Sequence, residues 1–203
     1  MSFSASSGSV PGASESRRRR GRRTAIAILA ICAAPTFAAW FAYFVWPPDS
    51  RSNYGELITP QPISDSGLRR PDGGLFQFSK LRGKWVLLQI DSGACGEGCR
   101  KKLVYLRQVR LAQGKDAERV ERAWLLSDAV APDAALLSEY PGMHIALANT
   151  SRVFAELPAA QNPADHIYLI DPLGNLMLRF PRDPDPRRMV KDLARLLKVS
   201  RIG

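Results

Sequence analysis

Two cysteines, Cys95 and Cys99, stand one helical turn apart in the stretch DSGACGEGCRKK, directly after the apolar run 85–90. With a helix starting between Gly96 and Gly98, Cys95 lies at its N-terminal end and Cys99 follows on the same face. Free backbone N–H groups and the dipole at a helix start favour thiolate over thiol. Arg100, Lys101 and Lys102 push the same way, and Gly96 and Gly98 permit tight backbone geometry between the sulfurs. Such a pair supports two chemistries. One is a reversible disulfide, because cysteines one turn apart come within the Cα separation of about 4.4–6.8 Å that the bond needs. Cys95 is then the attacking thiolate and Cys99 the resolving one. The other is a soft metal ion: two thiolates and an imidazole suit copper, and thiolates select Cu(I) in particular. The chain has two histidines to offer as a third ligand. His166 opens the segment HIYLID, with Asp165 before it to orient the ring, and His144 opens HIAL.

The elements that must position these residues alternate strand and helix. Residues 74–78 read as a short strand, and the run 85–90, apolar on both faces, reads as a central strand covered by helices. Residues 99–113 suit a helix with Leu103, Leu106 and Val109 on one side. A buried strand at 122–127, a short helix capped by Asp133 and a strand at 144–147 follow. HIYLID and NLMLRF flank the turn Asp171-Pro172-Leu173-Gly174 as an antiparallel hairpin. A last helix starts after Asp185-Pro186, with Met189, Val190, Leu193, Leu196 and Leu197 at helical spacing. The expectation is a three-layer α/β domain with a central mixed sheet over residues 67–203. A cysteine pair between the first central strand and its helix narrows it to a thioredoxin-like fold.

The formal charge of +10 is concentrated near the start, where RRRRGRR occupies residues 17–23. Without those six arginines and Glu15, 23 basic and 18 acidic residues remain, an ordinary, mildly basic domain with no basic stripe interleaved with aromatics. That balance argues against nucleic-acid binding. The basic last helix, with Arg187, Arg188, Lys191, Arg195 and Lys198, reads as a solvated face, with anionic lipid as the alternative contact. Residues 24–46 carry no charge and at ~1.5 Å per residue reach roughly 34 Å, enough for a ~30 Å hydrocarbon core. Trp40, Tyr43 and Trp46 suit an aromatic belt at the far interface, so Thr24–Trp46 reads as an uncleaved anchor rather than a signal peptide. The arginines before it keep residues 1–23, a Ser/Gly-rich and disordered start, in the cytoplasm. The C-terminal domain then faces outward, into the periplasm if the source is a bacterium. Residues 47–66, with four prolines, read as a tether. Cys32 inside the span reads as a small apolar filler. The chain holds no Walker-type glycine loop, no zinc spacing and no hydrolase elbow.

Three stretches carry a resemblance: GKWVLLQIDSGACGEGC, WLLSDAVAPDAALLSEY and DHIYLIDPLGNLMLRF. Together with the anchor they resemble the SCO/SenC proteins, membrane-anchored thioredoxin-like factors for copper-site assembly in cytochrome c oxidase. Gly96 and Arg100 stand where that family commonly has proline, and its histidine position falls on Pro163 without gaps, which marks a divergent member. The resemblance implies copper, as Cu(I) or Cu(II), held by Cys95, Cys99 and His166. It implies an oxidase subunit or another copper-handling assembly protein as partner. Two other functions are compatible with the same residues: a thiol-disulfide oxidoreductase acting on oxidase cysteines, and a non-catalytic assembly scaffold.

Overall fold

Residues 84–91 and 166–180 are dense in β-branched, aromatic and leucine side chains, and they form the middle of the domain's sheet. The structure is a computed structural model that describes residues 13–45, 53–158, 162–200 and 202. It falls into two compact units, one up to residue 50 and one from residue 51. In the first, α1 runs from Ala13 to Val45 with Pro35 inside it, and its stretch Gly21–Phe41 is long and apolar enough to cross a membrane. Residues 13–23, expected to be disordered, therefore already belong to the helix; Trp46 of the expected span lies outside the described residues.

In the second unit the described residues form one six-stranded mixed sheet, in the order β1-β6-β5-β2-β3-β4. The strands are β1 (Glu56–Pro62), β2 (Trp85–Asp91), β3 (Val120–Leu126), β4 (Met143–Leu147), β5 (Ile167–Ile170) and β6 (Asn175–Arg179). β2, β3 and β4 are parallel neighbours, whereas β5 is antiparallel to β2 and to β6. The helices are α2 (Glu97–Leu111), α3 (Ala134–Ser138), α4 (Val153–Glu156) and α5 (Pro186–Val199).

The pleat divides the sheet into two faces. Trp85, Leu87, Ile167 and Leu169 pack under α2 and α5, against Leu106, Val109, Met189, Leu193 and Leu197. Val86, Leu88, Ile90, Tyr168 and Ile170 point the other way, against Phe76, Phe78, Val153 and Leu157. These are the three layers expected from the sequence.

Two expectations are corrected. Glu56–Pro62, assigned to the tether, is the edge strand β1, antiparallel to β6. Pro60 and Pro62 are tolerated there because an edge strand has only one ladder to serve. Residues 74–78 are not one of the named strands: Leu75 makes only an isolated bridge to Arg69, and Phe78 begins a 3₁₀ turn, Phe78–Leu81.

Candidate functional site

β2 runs apolar to Ile90 and then delivers Asp91 to the end of the sheet, where the chain turns back through Ser92–Gly96 into α2. That loop is pinned from the side. Asp128, just beyond β3, accepts from the backbone N–H groups of Gly93 (3.0 Å) and Val130 (3.2 Å). A hydrogen bond from the Ser92 hydroxyl, then that from the Gly93 N–H, hold the Asp128 carboxyl below its ordinary pKa. Gly93 is required here: a Cβ would fall 1.8 Å from the Val130 carbonyl oxygen.

Gly96 is the N-cap of α2, so Cys95 lies just outside the helix and Cys99 inside its first turn. Cys95 itself takes the left-handed conformation, with φ of 45°, the only such non-glycine residue among those described. The sequence had assigned the tight geometry to the glycines; Gly96 and Gly98 instead leave open space above the loop, with nothing within 4 Å of a built Cβ. The two cysteine Cα atoms are 5.1 Å apart and the sulfurs are bonded as a disulfide. Both residues are buried, against Leu103, Trp124, Leu126, Leu136 and Tyr140.

Two polar residues support the pair in ways the sequence did not show: Gln89 was not singled out, and Lys102, expected only to add positive charge beside the sulfurs, is tied up elsewhere. Gln89, fully buried on β2, donates its Nε2 to Cys99 Sγ at 3.6 Å, and its Oε1 has no partner. Lys102, only 8% exposed, sets its ammonium against Asp91 Oδ2 (2.7 Å), the Ile90 carbonyl (3.1 Å) and the Ala164 carbonyl. It ties the end of β2 to residues 162–165, the loop that leads into β5. Between this loop and α2 lies a cleft of about 480 Å³, with Cys99, Gly96, Gly98, Lys102, Asn162 and Arg182 in its wall. Lys101 and Asp183 pair across its rim at 2.7 Å.

The histidines fare differently. Ile167 pairs with Gln89, so His166 lies beside Ile90 at the end of the sheet from which the cysteine loop departs. Strand alternation puts its ring with Tyr168 (centroids 6.1 Å apart) on the face away from α2. Its Nδ1 lies 2.8 Å from the Phe180 carbonyl. A carbonyl only accepts, so Nδ1 carries the hydrogen; in the neutral ring Nε2 then keeps the lone pair through which a histidine ligates metals. Asp165 does not orient the ring as expected; it faces Arg182 at 3.6 Å. His144 pairs with Ala123, back from the end of β3, and binds Glu121 at 3.2 Å on the Phe76 side of the sheet. Among the described residues no group of three or more His, Cys, Asp or Glu is placed to hold a metal ion. What the fold brings together is the two sulfurs, a soft donor pair that fits a copper ion after reduction of the disulfide.

The family model described as the transmembrane-like, thioredoxin-like, C-terminal domain matches residues 85–200, and the transmembrane-like, N-terminal domain matches residues 15–45. No curated protein matches the sequence. Among solved structures the chain is similar to copper-bound yeast Sco1 at 18% identity and a TM-score of 0.55, covering 70% of this chain and 91% of that one. It is similar to copper-bound ScoI of Bradyrhizobium japonicum at 21% and 0.51, covering 68% and 99%. It is also similar to a SCO1/SenC family lipoprotein of Bacillus anthracis at 14% and 0.51, covering 70% and 99%. At such identities the likeness is one of fold, and the structural neighbours are the proteins that the sequence resembles.

Proposed function

This chain belongs to the transmembrane-like, thioredoxin-like family, and on that premise we propose that it is a membrane-anchored copper-binding assembly factor for cytochrome c oxidase. The observation that carries the reading is the pair Cys95–Cys99, closed on itself where β2 meets α2. Reduced, it offers two adjacent thiolates, and soft thiolates select Cu(I). The copper-bound Sco structures share this fold. Copper is the cargo here, taken up at the pair and passed to an oxidase subunit or another copper-handling protein. His166 is the third donor in this reading: its Nε2 is the nitrogen left free for a metal. Reaching the sulfurs requires the segment 162–166 to shift, and the Lys102 bond to the Ala164 carbonyl resists that shift. Gln89 steadies the Cys99 sulfur from behind through its N–H.

The test is an anaerobic Cu(I) titration of the reduced full chain in detergent, with Cys32→Ala to remove the third thiol. About one equivalent of copper is expected to bind, none in Cys95→Ser/Cys99→Ser, and one of weaker affinity in His166→Ala. Binding that survives the double serine change would remove the proposal.

The bonded state of the two sulfurs favours a second reading, a thiol-disulfide oxidoreductase acting on oxidase cysteines. A partner thiolate attacks one sulfur of the disulfide and the other sulfur leaves as thiolate. The partner's second thiolate then attacks the partner's own bonded sulfur and displaces the cysteine of this chain as thiolate, so the partner is oxidised and the pair reduced. Trapped mixed disulfides with single-cysteine variants in a chain that binds no copper would favour this reading over the first.

A further inference from the structure

The outer face of α5 is basic from end to end. Arg187, Arg188, Lys191, Arg195 and Lys198 are all exposed, at spacings that keep most of them on one stripe. The helix's single acid, Asp192, is turned inward and 2% exposed, where it accepts from the Gly55 N–H at 2.8 Å. At the far end, Val199 (82% exposed) and Ile202 stand in water beside Lys198. The incoming chain is strapped to this same helix. The Tyr54 ring lies under the Arg188 guanidinium at 4.0 Å, and its hydroxyl accepts from the Asp185 N–H at 2.9 Å. Residues 46–53 are all that separate Tyr54 from α1. The helix that holds Tyr54 is therefore the one that carries the cations and the exposed apolar side chains.

We infer that the outer face of α5 is a contact for anionic phospholipid headgroups of the bilayer that α1 anchors to. Basic residues are attracted to a negatively charged leaflet within a Debye length of about 8 Å. A stripe of five is a substantial attraction once an anchor has confined the domain to that surface. Val199 and Ile202 supply the apolar edge that enters the headgroup region in interfacial helices. Solvated cations alone account for neither the exposed valine nor the absence of an outward acid on the helix. The cleft beside the cysteine pair is lined by Arg182 and Pro184, shortly before the start of α5. The inference stands apart from the copper reading and does not need it.

The test uses the full chain in lipid nanodiscs, with Cys32→Ala and an environment-sensitive fluorophore on Val199→Cys, the Cys95–Cys99 disulfide left oxidised. On discs of phosphatidylcholine with phosphatidylglycerol, the emission is expected to shift to the blue and resist an aqueous quencher. On phosphatidylcholine alone it should not. High salt and the variant Lys191→Glu/Arg195→Glu/Lys198→Glu should each abolish the shift, with unchanged circular dichroism confirming that the variant still folds. Identical emission on both discs overturns the inference, as does a shift that survives the triple substitution. A shift caused by soluble polyglutamate and not by phosphatidylglycerol overturns it too, and assigns the face to an acidic protein.

Discussion

Tyr168 points its hydroxyl into the core of the sheet with no hydrogen-bond partner. Burial pushes its phenol up from 10.0 to about 12. The folded state thus holds this proton where the unfolded chain has lost it, and stability falls as pH rises above 10 and keeps falling towards 12. Tyr168→Phe removes an orphaned donor and should stabilise the fold by roughly 1 kcal/mol. It should also flatten that alkaline decline; urea midpoints of both proteins at pH 8 and above 10 decide it. At this scale the cysteines were legible, because their spacing alone states their chemistry. Gln89 and Lys102 were not. A glutamine within an apolar strand reads as an interruption, and Lys102 reads as one cation of three. Their meaning depends on Cys99 and Ala164, which only folding brings near.

Between β2 and α2 the decisive contact is backbone against backbone, at Gly93. Gly93→Ala sets a methyl group 1.8 Å from the Val130 oxygen and 2.7 Å from its carbon. Neither atom is on a flexible side chain, so the loop must move, at a cost of about 1–3 kcal/mol. Gly96→Ala, three residues on in the same loop, meets nothing within 4 Å. Denaturant unfolding should show a clear loss for the first variant and almost none for the second; equal losses would refute the packing argument. Most elements were legible from periodicity: β2, α2, β3, the β5–β6 hairpin and α5 all lie where runs of apolar residues predict them. β1 was hidden because its side chains are mostly outside the core and two of its seven residues are proline. It exists because β6 needs a partner, which is a fact about β6 rather than about Glu56–Pro62.

Across the whole molecule, one charge-free run and one arginine block carry the membrane argument. Positive residues stay on the cytoplasmic side, so the domain should face outward. After mild reduction, a membrane-impermeant maleimide should label Cys95 and Cys99 in right-side-out vesicles of a Cys32→Ala chain; labelling confined to inverted vesicles would reverse the orientation. The class of fold was legible because strand and helix signals alternate and then close with a hairpin. The placement of the histidines was not: one residue more or less in a strand sends a ring to the opposite face. His166 falls beside Tyr168 rather than over α2 for that reason.

One ammonium, that of Lys102, is shared by Ile90, Asp91 and Ala164. The approach to the sulfurs and the approach to His166 are consequently not independent moving parts. Loss of that amine would remove, at once, the tie between the end of β2 and the residues before β5.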